Sequence, residues 1–149
     1  HHMMLTKKDV FLDKSINPHH FCMPVVKNEE DLIALRNFAT SGNKKFFLGT
    51  DSAPHPIEFK VPNLKSKPGI FSAPCSIEIY ATIFDEEKSL DNLEKFCSIN
   101  GPKFYKLPVN ADQIELIEER WTVPEYTMYQ EIKIKNFMGG KELNWKLKA

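Results

Sequence analysis

The chain has 149 residues, 42% of them hydrophobic and 27% charged, which is the composition of one ordinary soluble domain. Twenty basic side chains balance twenty acidic ones, so no global field favours nucleic acid or an anionic membrane, and any anionic ligand has to be held locally. Apolar runs such as Phe46-Phe47-Leu48 are far too short to cross a bilayer, and the three cysteines Cys22, Cys75 and Cys97 are odd in number and lack CxxC spacing, which argues against a disulfide framework and for a reducing cytosol.

The opening His1-His2-Met3-Met4 fits either a purification remnant or a start inside a larger protein. Residues 5 to 27 read as a loop-rich connection, because Asn17-Pro18 and Met23-Pro24 disfavour helix around a polar and aromatic cluster. A helix follows, with Asn28 as N-cap, Glu29, Glu30 and Asp31 in its first turn, an apolar stripe of Leu32, Leu35, Phe38 and Ala39, and Gly42 as its stop. Lys45-Phe46-Phe47-Leu48-Gly49 is a short apolar run bounded by turn formers, which predicts a strand buried on both faces, as in a parallel sheet whose far edge needs a further partner.

From Asp51 to Gly69 the composition turns polar and proline-rich, with Pro54, Pro56, Pro62 and Pro68, so the strand runs out into a long irregular loop. Ala73 to Asp85 and Ser89 to Ile99 read as two helices, the second closed by Asn100-Gly101-Pro102, and Phe104 to Leu107 adds a short turn. Beyond Ile114 the pattern shifts toward alternation, and Gly139-Gly140 predicts a hairpin leading to Leu143, Trp145 and Leu147.

The candidate chemistry lies at the end of the buried run. An acidic side chain at the C-terminal tip of a buried parallel strand, followed by a loop, is where barrel enzymes place catalytic groups, and Asp51 occupies that position. Its carboxylate suits metal ligation or proton transfer; the plainer alternative is a turn cap through Ser52 and Ala53. His55, four residues on, suits anion or metal binding, against the alternative of a solvent-facing loop histidine. Adjacent His19 and His20 lack metal-ligand spacing. Lys60, Lys65 and Lys67 read as a solvated surface, and the cysteines as small packing groups, with Cys97 on the buried face of its helix.

Leu48-Gly49-Thr50-Asp51-Ser52-Ala53-Pro54-His55 resembles the last-strand motif of the dihydroorotase family, in the single-chain class typical of bacteria. The resemblance continues through Asn17 to Pro24, Ala81 to Glu86, Phe96 to Tyr105 and the closing Asn136 to Leu147 segment. It implies an α/β fold, the C-terminal part of a (β/α)8 TIM barrel: the end of strand 7, strand 8 and closing helices over residues 1–110, then a C-terminal extension over 111–149. It implies a cytoplasmic, metal-dependent hydrolase that interconverts dihydroorotate and N-carbamoyl-aspartate in pyrimidine biosynthesis, with a binuclear centre, usually zinc, and commonly a homodimer. Asp51 would ligate metal and act as general base, His55 would hold the substrate carboxylate, the Met23 backbone would contact the ring amide, and backbone at Pro68 and Gly69 would complete the carboxylate site. His2 matches a histidine near the end of the seventh strand, which favours native sequence there. The other metal ligands of the family are missing from these residues, so the chain alone is expected to be inactive and to need the N-terminal half of the same barrel as partner. The competing expectation is a non-catalytic α+β domain that binds a small molecule or a protein through the His55 loop.

Overall fold

The computed structural model describes residues 1–148, which are mixed α/β and divide into two compact units. The first comprises His1–Ile33, Thr50–Cys75 and Thr122–Lys141. Its opening turn leads into a short helix, α1 (Lys7–Val10), where Asp9 accepts from both the backbone and the hydroxyl of Thr6 and so satisfies donors that a helix start leaves open. A minimal hairpin, β1 (Phe11–Leu12) and β2 (Ser15–Ile16), and a 3-10 turn over Pro18–His20 follow. The core gathers Val10, Phe21, Val26, Ile70, Cys75 and Val123.

Three isolated bridges stitch the long loop to the rest of this unit: Ser52 with Ile70, Phe71 with Asn136, and Pro56 with Ile134. The last two reach the antiparallel pair β4 (Tyr126–Tyr129) and β5 (Ile132–Lys135) or its immediate continuation. Buried Asn136 donates to the Pro124 carbonyl and accepts from the Thr127 hydroxyl, which closes the base of that hairpin. Gly139 is required there because a Cβ would sit 2.7 Å from the Glu125 carbonyl oxygen.

The second unit comprises Ala34–Gly49, Ser76–Trp121 and the chain from Glu142. Helix α2 (Glu29–Thr40), which mostly belongs here, starts where the sequence predicts, with the Asn28 N–H donating to Asp31, and ends before Gly42 at φ +72°. Its expected apolar stripe is not buried: Ala39 is, but Leu35 and Phe38 are exposed. Arg36 instead ties the helix to Glu86 and Glu87 at the end of α3 (Ser76–Glu86). Helix α3 carries the core with Ile79, Ala81, Ile83 and Phe84, and the Phe84 ring packs 5.4 Å from that of Phe96.

Three further expectations change. Phe46–Gly49 joins no sheet among the described residues and is half-buried rather than buried on both faces; it forms no antiparallel hairpin either. A strand requires an extended neighbour to share its ladder, and here the Leu48 N–H donates to the Phe96 carbonyl and the Phe46 carbonyl accepts from the Asn100 side chain. The helix predicted over Ser89–Ile99 is a 3-10 turn at Leu90–Asn92 and a π-helix at Lys95–Ile99, and it continues through Asn100-Gly101-Pro102 as α4 (Asn100–Tyr105). Pro102, which lacks an N–H, follows closely on the π-helix, where the hydrogen-bond ladder changes register. The stop is Lys106, left-handed at φ +56°, with the Leu107 N–H returning to the Pro102 carbonyl.

The predicted terminal hairpin also resolves differently. β6 (Glu142–Leu147) pairs with β3 (Leu116–Thr122), not with the strand just before Gly139-Gly140. The Trp121 indole donates to the Trp145 carbonyl, the Trp145 indole to Asp85, and the Leu147 N–H to buried Glu78, so β6 is fastened to both β3 and α3.

Phe84 is fully buried, so Phe84→Ala should destabilise the chain by about 3–5 kcal/mol through lost transfer energy and a cavity. Chemical denaturation reads this directly, and a loss under about 1 kcal/mol would show that the site collapses without cost.

Candidate functional site

All five residues singled out as site candidates, Met23, Asp51, His55, Pro68 and Gly69, fall in the first compact unit. Asp51 is exposed and left-handed at φ +44°, a conformation that aspartate tolerates better than most side chains. The turn it makes delivers Ser52 to its bridge with Ile70, and the Ser52 hydroxyl accepts from the backbone N–H groups of Ser72 and Ala73. The residue before Ser52 is thereby fixed in direction although its own side chain is free of packing.

His55 is half-buried, and its Nε2 lies 2.9 Å from the Pro68 carbonyl oxygen. Gly69 follows at φ +143°, and a Cβ there would come within 2.7 Å of Ala53 Cβ and 2.9 Å of His55 Nε2. Only glycine permits that approach, so the backbone at Gly69 forms a floor under the His55 ring. The structure therefore brings His55, Pro68 and Gly69 together. Met23 is exposed and follows buried Cys22 on the segment whose Phe21 carbonyl accepts from the Gly69 N–H.

The group that sequence reasoning missed is Lys60. Read as solvated surface, it is only 9% exposed, and its ammonium donates to the carbonyls of Gly69 at 2.7 Å, Lys67 at 2.9 Å and Phe21 at 3.4 Å. Nothing local distinguishes it from exposed Lys65 and Lys67; the carbonyls that satisfy it come together only in the fold. Burial pushes its pKa down to about 8.

Lys60, His55 and Gly69 line one pocket with His19, Ala53, Ile70, Phe71 and Lys135. Its lining contains two lysines and two histidines but no acid, so it suits an anion. His19 was not assigned to a site by its spacing, and only the 3-10 turn at Pro18–His20 carries it here. His20 is structural, with Nδ1 held between the Asn17 amide and the Asp9 carbonyl.

A second cluster lies around His2. Its ring is held below the ordinary imidazole pKa by burial, while the Asp51 carboxylate acts in the opposite direction, so Asp51 sits within electrostatic reach. His1, His2 and Cys22 each offer a donor atom, all within 4.8 Å of one another. Burial pushes the Cys22 thiol up, and its Sγ donates to the Pro24 carbonyl at 3.4 Å. Asp51 remains the better hard ligand. One exposed carboxylate fits the edge of a metal centre, and these residues alone do not enclose two ions. Cys75 is buried beside the Phe137 carbonyl, and Cys97 is half-buried with its thiol pushed up to about 12, as packing groups would be.

No family model matches the chain. Over 147 residues, 99% of its length, it is 46% identical to the dihydroorotase of Nitrosomonas europaea, and over all 149 residues it is 43% identical to that of Coxiella burnetii. In each case it spans 42% of the relative, about two-fifths of its length. It is likewise similar to the crystal structure of the Saccharomyces cerevisiae dihydroorotase in complex with 5-fluoroorotic acid (34% identity, TM-score 0.91, 99% of this chain and 41% of that one). The Campylobacter jejuni dihydroorotase gives 37% identity and a TM-score of 0.86 over 100% of this chain and 43% of that one. The matched part is the C-terminal portion of these proteins. Full-length matches include His1 and His2, which places that pair inside the shared region.

Lys60→Met would leave the Lys67 and Gly69 carbonyls without a buried donor and should cost about 1.5–3 kcal/mol. Because the folded-state pKa lies below the unfolded one, the unfolded chain holds more protons between about pH 8 and roughly 10.4. That part of the stability is complete above the unfolded value and is lost as pH falls through about 8. Denaturation midpoints across this window should rise more steeply with pH for the parent than for Lys60→Met; parallel profiles would contradict the assignment.

Proposed function

We propose that this chain, similar along its length to the C-terminal portion of dihydroorotases, supplies one edge of a dihydroorotase active site. The observation that carries the reading is that a single compact unit holds Asp51 at a fixed turn and His55 against the Pro68–Gly69 backbone. In this reading residues 1–110 are the last part of a (β/α)8 barrel and residues 111–149 a C-terminal extension. The partner is the N-terminal half of the same barrel, and the complete enzyme is cytoplasmic and homodimeric. Large side chains of the second unit, Phe38, Phe104 and Leu107, are each more than half exposed, and Phe46–Gly49 joins no sheet among the described residues, as expected for faces that the remaining barrel covers. No helix among the described residues is long and apolar enough to cross a membrane.

The reaction is reversible hydrolysis of the cyclic amide of dihydroorotate to N-carbamoyl-aspartate: water adds to the ring carbonyl, the C–N bond breaks, and a proton moves to the departing nitrogen. A binuclear centre, zinc in this reading and with Asp51 as one ligand, supplies Lewis-acid activation when bound. Asp51 takes the proton on a carboxylate oxygen and delivers it to the amide nitrogen. His55 holds the substrate carboxylate, Gly69 and Pro68 backbone closes the same subsite, and the Met23 backbone meets the ring amide. Each of these groups belongs to a loop or turn that a more buried element anchors, so the substrate is oriented without relying on mobile side chains.

Mixing the chain with the N-terminal portion should restore carbamoyl-aspartate cyclisation, whereas the chain alone should be inactive. A non-catalytic binding domain would bind ligand and show no recovery. In the reconstituted enzyme Asp51→Asn should lower turnover by about two to four orders of magnitude, roughly 3–5 kcal/mol of barrier, because an amide cannot accept the transferred proton. Turnover within about threefold of the parent would remove Asp51 from the chemistry.

A further inference from the structure

The anion-suited pocket contains one lining side chain to which no work has yet been assigned. Lys60 spends its ammonium on three carbonyls. Lys135 is bonded to Glu125 at 2.8 Å and lies 4.8 Å from the Tyr126 ring centroid. His55 Nε2 donates to the Pro68 carbonyl, which leaves its Nδ1 for a ligand. His19 is different. Its backbone N–H is tied to Asn17 Oδ1 at 3.2 Å, which anchors the residue in its 3-10 turn, while its half-buried ring lines the pocket and makes no side-chain hydrogen bond among the described residues. Neither of its ring nitrogens has a protein partner among the described residues, so both are available to a ligand in this pocket.

We propose that His19 is a second anion-recognising residue of this pocket, and that its imidazole and that of His55 together hold the carboxylate of a small cyclic or open-chain acid. The inference rests on the reading of His55 as the carboxylate contact and extends it to a residue on a different segment.

The electrostatics around His19 give the arrangement a direction. Burial, then Lys60, Lys135 and its neighbour His20, hold His19 below the ordinary imidazole pKa, so with no anion present the ring is neutral near pH 7. The two lysines are the charged groups facing it from the other segments, and His55 is the other titratable group that shares the lining. A bound carboxylate offsets the field of those lysines and offers an acceptor, which favours the imidazolium. Binding therefore takes up a proton at His19, and affinity falls as pH rises through the ligand-bound value. The lysines, committed to structural partners, supply potential without competing for the ligand's oxygens, and the histidines supply the directed donors.

The test is nuclear magnetic resonance of the full chain with isotope-labelled histidine, titrated with dihydroorotate, with N-carbamoyl-aspartate, and with carboxamide counterparts that lack the anionic groups. The acids should move the His19 and His55 ring signals and raise the His19 titration midpoint; the carboxamides should do neither. His19→Gln should weaken binding of the acids by about 10- to 100-fold, the worth of one charge-assisted hydrogen bond, and should flatten its pH dependence. His19→Asn serves as a second variant, and an unchanged spectrum of the remaining histidines certifies folding of whichever is used. Parent-like affinity in His19→Gln with weakened binding in His55→Ala overturns this inference alone. No response of either ring to saturating acid, or parent-like affinity in His55→Ala, overturns the carboxylate subsite itself and the inference with it.

Discussion

The loop between Thr50 and Cys75 is organised around one buried ammonium. Lys60 reaches back along its own loop to Lys67 and Gly69 and across to Phe21, and the Gly69 N–H donates to the same Phe21 carbonyl. A charged group taken out of water is tolerated only when its donors are met, and meeting them draws Gly69 and the Phe21–Met23 segment into register. Without that cross-tie the proline-rich run has few regular hydrogen bonds of its own and would be an ordinary mobile loop. With it, the run becomes a wall that presents His55 on one side and the Pro68–Gly69 backbone on the other.

Serine 52 does comparable work at the other end of the loop. Its hydroxyl accepts two backbone N–H groups at the start of the Ala73–Cys75 turn, and its backbone pairs with Ile70. The left-handed backbone of Asp51 is sustained by this fixation, since a residue at positive φ persists where its neighbours over-determine the path. The combination leaves Asp51 exposed yet aimed, which is what a carboxylate needs if it is to meet groups brought by another segment.

Local features were legible in the sequence where local chemistry decides them. The start of α2 at Asn28 and its end before Gly42 follow from capping and from glycine's freedom at positive φ, and α3 follows from its apolar spacing. Asp51 and His55 were singled out because a distinctive run of residues surrounds them. Four features were not legible. Lys60 looks like its exposed neighbours because the carbonyls that bind it are distant in the chain or defined by the turn. The stripe of Leu35 and Phe38 has helical spacing but no packed neighbour, so periodicity alone overstated its burial. The β3–β6 pairing brackets an intervening hairpin, and the Gly139-Gly140 signal is equally compatible with closing the nearer pair. Helix α4 ran through an apparent stop because Pro102 follows a π-helix in which the hydrogen-bond ladder changes register, and the residue pattern does not announce that π-helix.

The four-residue separation of Asp51 and His55 has an electrostatic consequence for the proposed chemistry. His55 lines a pocket with Lys60, Lys135 and His19, whereas Asp51 is absent from that lining and lies within reach of His2 and Cys22. Had the carboxylate shared the cationic pocket, it would have competed with any bound carboxylate for the same donors. The positive φ at Asp51 helps send the two side chains into different surroundings. An anion held in the pocket and a group placed beside Asp51 thereby meet different electrostatic surroundings. The lysines are tied to carbonyls and to Glu125 rather than to Asp51, so their charge sets the potential of the pocket while the Asp51 carboxylate stays out of it.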